Sequence, residues 1–386
     1  MESSPSMRSL RVAWLLPTIQ QGYYWQPLLR EFARLLPQTM IFTSGWSGFI
    51  PGAENAFQVR LLPGYRHIGF KRSVARRDVG YEGYQWVTPW VIRDLRSFRP
   101  DVIFTSAFGL WTACALAYKA FARSRVIVLL DGVSPATVDS QLRLPIRRLI
   151  GKLVDAATSN SNAGCRYLHD VVRMSAARIT KRVFYVPDPE VLRCGALEKM
   201  PMASVRPSFL FVGQLIKRKG WHELIEAANL LATRGRAFSV TIVGDGPDRQ
   251  PLLDRITELK LGNIVQVVGS VPYNGMGIYF DAADVLVLPS HEDTWGMVVS
   301  EAMALGKAVL CSCYAGASEL VEHGSNGYVF NPMDPAELTQ CMEQFIRRPE
   351  LLLQFGASSR RIIASHTPQL AAQGLGELAG EVAGAQ

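Results

Sequence analysis

The chain has 386 residues, too many for one ordinary core and suited to two domains of about 150–200 residues. With 48% hydrophobic and 19% charged residues it is neither disordered nor collagen-like, and its apolar runs are strand-length, short of the ~20 residues a membrane span needs. The formal net charge of +8 is uneven: residues 1–190 carry 25 Lys/Arg against 13 Asp/Glu, residues 191–386 carry 16 against 20. A basic first half suits an anionic partner such as a phosphorylated acceptor or a membrane surface; aromatics are not interleaved with the basic residues, which disfavours nucleic acid.

The apolar segment behind MESSPSMRSLR is too short for a signal peptide, so a cytoplasmic protein is expected. RVAWLLP (11–17) reads as a strand, and the loop QQGYYWQP (20–27) places Gly22 where a phosphate or acceptor can approach. PLLREFARLL (27–36) has helical spacing, and KRSVARR (71–77) is a basic loop. DVIFTSA (101–107), the Ala-rich WTACALAYKAFA (111–122) and RVIVLLDG (125–132) read as strand, helix and strand. LPIRRLIGKLVD (144–155) sets Ile146, Leu149, Ile150, Leu153 and Val154 on one side of a helix with Arg147, Arg148 and Lys152 beside them. Such a face either rests on an anionic membrane or packs into the core.

The rhythm breaks at VPDPEVLRCGALEKMPMASVRP (186–207), a proline-rich stretch whose residues 191–207 are assigned as a linker. It restarts with SFLFVG (208–213), a helix over Trp221–Ala232, then SVTIVG (239–244), IVQVVGS (264–270), DVLVLPS (284–290) and KAVLCSC (307–313). Continuous apolar runs alternating with helices predict an α/β fold of two Rossmann-like doubly wound domains, residues 1–190 and 208–365, facing across a cleft. The six cysteines lack metal spacing and read as buried free thiols, with Cys311 and Cys313 on one face of a strand.

Candidate chemistry concentrates in the turns after second-half strands. VGQLIKRKG (212–220) offers Gly213, Lys217, Arg218 and Lys219 before a helix, a setting for a diphosphate or simply a basic solvated loop. VGDGP (243–247) is a tight turn in which Gly244 permits close approach. In PSHEDTWGMVVSEAMALGKAV (289–309) the helix is expected to begin near Gly296, with the N–H groups of Gly296, Met297 and Val298 facing an anion and Glu301 one turn further in. The plainer alternative makes Asp293 or Thr294 an N-cap and Glu301 a surface acid. AGASEL (315–320) offers a further helix start at Gly316, with Glu319 beside it.

Five ordered segments, VGQLIKRKGWHELIEA, TIVGDGP, YFDAADVLVLPS, EDTWGMVVSEAMALGKAV and AGASELVEHGSNGYVF, resemble the nucleotide-sugar-binding domain of glycosyltransferase family 4, retaining enzymes of the GT-B fold. PDVIFTS, KLVDAATSNSNAGCRYL and VFYVPDPE resemble its N-terminal domain more loosely, and the last stretch (366–386) the helix that crosses back to that domain. The resemblance implies a nucleoside-diphosphate sugar donor held mainly by the second domain and a glycan or lipid-linked acceptor on the first. It further implies front-face transfer with retention, and no cofactor or divalent metal. The family's E-x7-E motif falls on Asp293, toward the donor sugar, and Glu301, toward the ribose. Its basic pair falls on Gln214, where Arg is usual, and Lys219. Asp131 stands where many members have His. The implied catalytic residues are Asp293, Lys219 and Asp131. The donor set is Gly22, Gly213, Gln214, Arg218, Lys219, Gly244, Asp293, Thr294, Trp295, Gly296, Met297, Val298 and Glu301. A sugar-nucleotide 2-epimerase on the same fold and a non-catalytic sugar-nucleotide-binding subunit are the alternatives.

Overall fold

The computed structural model describes residues 8–17, 25–46, 48–50, 54–63, 67–68, 84–85, 90–133, 143–195 and 205–384. Strand β1 (Val12–Leu15) leads into α1 (Trp25–Leu35), β2 (Thr39–Thr43), β3 (Gln58–Leu61) and a short antiparallel pair, β4 (His67–Ile68) with β5 (Tyr84–Gln85). Then come α2 (Trp90–Phe98), β6 (Val102–Ser106), α3 (Leu110–Lys119), β7 (Arg125–Leu130), α4 (Arg143–Leu153), β8 (Ala156–Ser159), α5 (Asn162–Arg166), β9 (Ile179–Lys181) and α6 (Pro189–Arg193). Seven of these strands form one parallel sheet in the order β3-β2-β1-β6-β7-β8-β9.

The second half holds β10 (Ser208–Val212), α7 (Trp221–Thr233), β11 (Ser239–Val243), α8 (Arg249–Glu258), β12 (Val265–Gly269), α9 (Gly277–Ala282), β13 (Val285–Leu288), α10 (Met297–Ala304), β14 (Ala308–Ser312) and β15 (Gly327–Phe330). Its six strands are also parallel, in the order β12-β11-β10-β13-β14-β15. Helices α11 (Pro335–Arg347), α12 (Glu350–Ile363) and α13 (Pro368–Gly384) complete the chain.

All-parallel sheets need helices on both faces, which is why central strands such as VAWL in β1 are buried at every residue. On one face Trp14 stacks on Phe104 with ring centroids 4.6 Å apart, and both share a core with Phe32 of α1. On the other face Ile103, Val126 and Val128 meet Trp111 of α3 and Val91 of α2. Helix α13 returns to the first sheet: Ala372, Leu375 and Leu378 enter the core of Leu28 and Phe32, and Arg182 pairs with Glu377 at 3.8 Å.

Two corrections concern local assignments. Cys311 is buried in β14, but Cys313 lies one residue past the end of that strand, so the two do not share a strand face. The proline-rich stretch also begins with ordered chain. Asp188 Oδ1 accepts from the N–H groups of Glu190 and Val191 and caps α6. That helix is tied to the second half by Arg193 on both oxygens of Asp281 (2.6 and 3.0 Å). The remainder of the expected linker lies largely outside the described residues.

Candidate active site

In each sheet the chain order reverses once, between β1 and β6 and between β10 and β13. Loops at the carboxyl ends of strands diverge at such a point and leave a crevice. The loop after β10 (213–220) and the loop after β13 (289–296) meet there. Gly220 sits at φ +75°, and a Cβ on it would lie 1.9 Å from the Pro289 carbonyl oxygen. Gly220→Ala is therefore expected to cost at least about 1–3 kcal/mol through left-handed strain and backbone collision. Thermal unfolding should show a melting temperature several degrees lower; an unchanged value would mean the two loops are not locked.

The same pair of loops brings Lys219 and Asp293 together: Lys219 Nζ donates to Asp293 Oδ2 at 2.6 Å. Asp293 is 8% exposed, so the pair sits in a partly desolvated setting where charges interact strongly. Its backbone is fixed as well, since Asp293 N donates to Tyr314 O and Asp293 O accepts from Gly316 N. Arg218 turns toward this loop, with Nη1 on the Glu292 carbonyl at 2.6 Å and its own carbonyl accepting from His291 N. Behind them, His291 Nε2 lies 2.9 Å from Glu223 Oε1 of α7.

Helix α10 begins immediately after Gly296, which is left-handed (φ +94°) and offers no side-chain cap. Neither Asp293 nor Thr294 is the N-cap, so that plainer reading fails. The first-turn N–H groups, including those of Met297 and Val298, keep the positive end of the helix dipole uncapped by any side chain. Glu301 is not a surface acid either: it is 6% exposed, and burial pushes its carboxyl up to about 7, against the lowering effect of a hydrogen bond with Tyr273. Trp295 and Val298 are buried, whereas Thr294 is exposed.

From the first domain comes the Asp131–Gly132 turn after β7. A Cβ on Gly132 would lie 2.1 Å from the Thr294 carbonyl oxygen, and one on Gly316 would lie 2.4 Å from it, so that carbonyl is wedged between two glycines of different domains. Asp131 Oδ1 is buried without a hydrogen-bond partner. Desolvation pushes this carboxyl up to about 6, with a hydrogen bond to Tyr185 acting in the opposite direction. Asn160, fully buried, donates to the Asp131 carbonyl at 2.8 Å and accepts from the N–H groups of Phe184 and Tyr185. Glu319 spans the domains: its carboxylate accepts from Asn162 N (2.8 Å) and Ala163 N (2.9 Å) at the start of α5. Sequence spacing gives no hint of the positioning roles of Asn160, Tyr185 and Tyr273, because their partners lie far away in the chain.

The remaining expectations divide. Gln214 is exposed beside Gly213. The place of a Gly244 side chain is taken by backbone, as a Cβ there would meet the Gly213 carbonyl oxygen at 1.8 Å; the glycine serves loop-on-loop packing. AGASEL forms a 3-10 helix (Gly316–Leu320) rather than an α-helix, and the N–H groups of Gly316 and Ala317 are spent on Asp293 O and Trp295 O, so they do not face an anion. Gly22 and the basic cluster 71–77 lie outside the described residues.

Two doubly wound parallel domains, joined by a helix that crosses back, define the GT-B class of fold. Residues 198–362 match the family model described as glycosyl transferases group 1. Over 146 residues the chain is 32% identical to the α-D-kanosaminyltransferase of Streptomyces kanamyceticus, covering 38% of each chain. Over 142 residues it is 33% identical to the putative colanic acid biosynthesis glycosyltransferase WcaL of Salmonella typhimurium, covering 35% of each. Each alignment thus spans little more than a third of the relative's length. The crystal structure of Anabaena HepE in complex with UDP superposes with a TM-score of 0.76 at 18% identity, covering 96% of this chain and 100% of that one. These matches support a GT-B glycosyltransferase. Among the described residues no helix is long and apolar enough to cross a membrane.

Proposed function

We propose that the chain is a retaining, metal-independent glycosyltransferase that moves a sugar from a nucleoside-diphosphate sugar to a glycan or lipid-linked acceptor. One observation carries this reading: the Lys219–Asp293 pair, 2.6 Å apart, stands at the uncapped start of α10, the helix that carries buried Glu301. A leaving diphosphate needs positive potential where its charge develops, and Lys219 with the α10 N-terminus supplies it without a metal ion. On donor binding the Lys219 ammonium is shared with the diphosphate. Asp293 then accepts hydrogen bonds from sugar hydroxyls, and Glu301 from the ribose.

In the proposed step the acceptor hydroxyl oxygen attacks the anomeric carbon from the face that the diphosphate leaves. The bond from that carbon to the β-phosphate oxygen breaks, and the acceptor's proton passes to that oxygen. Asp131, next to the Gly132 that meets the Thr294 carbonyl, would hold a sugar or acceptor hydroxyl.

The test is a thermal-shift panel of UDP-, GDP-, ADP- and dTDP-sugars, UDP-sugars first because the HepE structure holds UDP. A donor present at about 100 times its Kd should stabilise by about 2.7 kcal/mol, and product analysis should show the sugar on an acceptor with its anomeric configuration kept. No shift with any nucleotide sugar would defeat the reading. Isomerised nucleotide sugar would indicate an epimerase.

A further inference from the structure

The basic helix of the first domain resolves into two faces. Ile150 and Gly151 of α4, with Val154 just beyond it, turn to the core; a Cβ on Gly151 would lie 2.8 Å from Val172. Ile146, Leu149 and Leu153, at i, i+3 and i+7, form a neighbouring stripe on the solvent side and are 57%, 58% and 49% exposed. A core-packing role thus accounts for two of these five aliphatic residues and leaves the other three in water. At its far end Lys119 Nζ donates to the Leu153 carbonyl, and Phe121, two residues past that lysine, is 62% exposed.

We infer that this stripe is a docking surface for an anionic lipid bilayer, on which α4 lies in the plane of the headgroups. Charge selects the occupant. Residues 143–153 hold four basic side chains and no acid, and they belong to the half of the chain with 25 basic against 13 acidic residues. Arg143 and Lys152 are exposed at the two ends of the helix, the arrangement in which aliphatic stems rest on apolar surface while cationic heads stay among headgroups. Arg147 and Arg148 turn back to Tyr167 and Val171, so a second copy docked on the stripe by two-fold symmetry would set Arg143 and Lys152 of each copy against the same pair, which disfavours it. At about 16 Å the helix cannot span a bilayer, and its core-facing side is occupied, so it rests on the surface. Because α4 follows the β7 turn that carries Asp131, it begins at the cleft end of the domain. Docking by this face brings the cleft within reach of molecules anchored in the membrane. The inference stands on this surface alone and does not depend on the sugar-transfer reading.

The test uses the full chain without any sugar nucleotide, co-sedimented with phosphatidylglycerol–phosphatidylcholine vesicles and with pure phosphatidylcholine vesicles. Binding is expected to the anionic vesicles at low salt, to weaken in high salt, and to be absent from phosphatidylcholine. The triple variant Ile146→Ser, Leu149→Ser, Leu153→Ser should keep the wild-type melting temperature and lose anionic-vesicle binding by at least about tenfold. The pair Arg143→Glu, Lys152→Glu, also exposed, should lose it similarly. Wild-type chain that ignores anionic vesicles, or a triple variant that binds them undiminished, would overturn the inference. So would a concentration-dependent dimer that the triple variant dissolves, since a second copy would then cover the face. Nucleotide-sugar thermal shifts measured on the same samples report separately on the transfer reading.

Discussion

Asp293→Ala is expected to lower the rate of sugar transfer by about 10²–10³-fold, a size usual for removing one positioned group that acts on the transition state. Two effects of that substitution pull apart. The sugar loses its acceptor of hydroxyl hydrogen bonds, which acts on kcat. Lys219, now held at 2.6 Å by that carboxylate, is released toward the diphosphate, so affinity for the free nucleoside diphosphate should hold or rise. Lys219→Ala should do the reverse: it weakens diphosphate binding and leaves Asp293 as a buried unpaired carboxylate, with a cost in stability. Glu292→Ala should be milder, since what Glu292 gives the loop is its backbone carbonyl, on Arg218. Single-turnover kinetics beside nucleotide titration separate these outcomes. A Glu292→Ala variant more damaged than Asp293→Ala would show that the wrong acid has been paired with Glu301.

Stability should fall as pH rises from about 4.5 to about 7, because buried Glu301 holds its proton in the folded chain where the unfolded chain has released it. The folded carboxyl is pushed up to about 7, so the full loss, on the order of 3 kcal/mol, is reached above that pH and is absent below about 4.5. Asp131, raised to about 6 by the same cause, adds a parallel slope at lower pH, and His366, lowered by burial, adds a slope of opposite sign up to about 6.5, so the Glu301 share is the difference between wild type and Glu301→Gln. Glu301→Gln should lessen the fall between about 4.5 and about 7 and be more stable than wild type at pH 8. If the Glu301 carboxylate accepts ribose hydroxyls, donor affinity should rise over the same interval as the proton leaves, and Glu301→Gln should abolish that rise. Denaturant titrations at stepped pH check the first statement, and calorimetric donor titrations the second. An unchanged slope in the Gln variant would rule Glu301 out as its source.

How much of this was legible in the sequence depends on the range of each contact. The two sheets were legible because buried parallel strands leave continuous apolar runs such as RVIVLL and DVLVLP, and helices leave a local period. Asp293, Lys219 and Glu301 stood out through spacing and resemblance, and the structure brings the first two into contact. The sequence could not tell an N-cap from an uncapped start at Gly296, since both place acids before a helix. Nor could it tell a glycine that admits a ligand from one that admits backbone: Gly244 and Gly220 both make room for carbonyl oxygens of the protein itself. Contacts across the domain boundary were out of reach. Glu319 and Asn162 lie 157 positions apart, and no local pattern records their hydrogen bond. Helix α4 shows the same limit from another side: five aliphatic residues look alike on paper, and packing alone sorts them into buried and exposed.

The return of α13 to the first sheet has a consequence for the order in which the chain becomes native during synthesis. Ala372, Leu375 and Leu378 belong to the same core as Leu28 and Phe32, so the first domain is built from both ends of the chain with the second domain inserted between them. On a ribosome the strands β1 to β9 emerge early with α1, yet the α1 side of their sheet stays incompletely covered until residues near 378 follow. The second sheet, contiguous in sequence, closes its core first. The domain expected to meet acceptor and membrane is the last to finish folding, and its exposed apolar face in the interval is where chaperones would act.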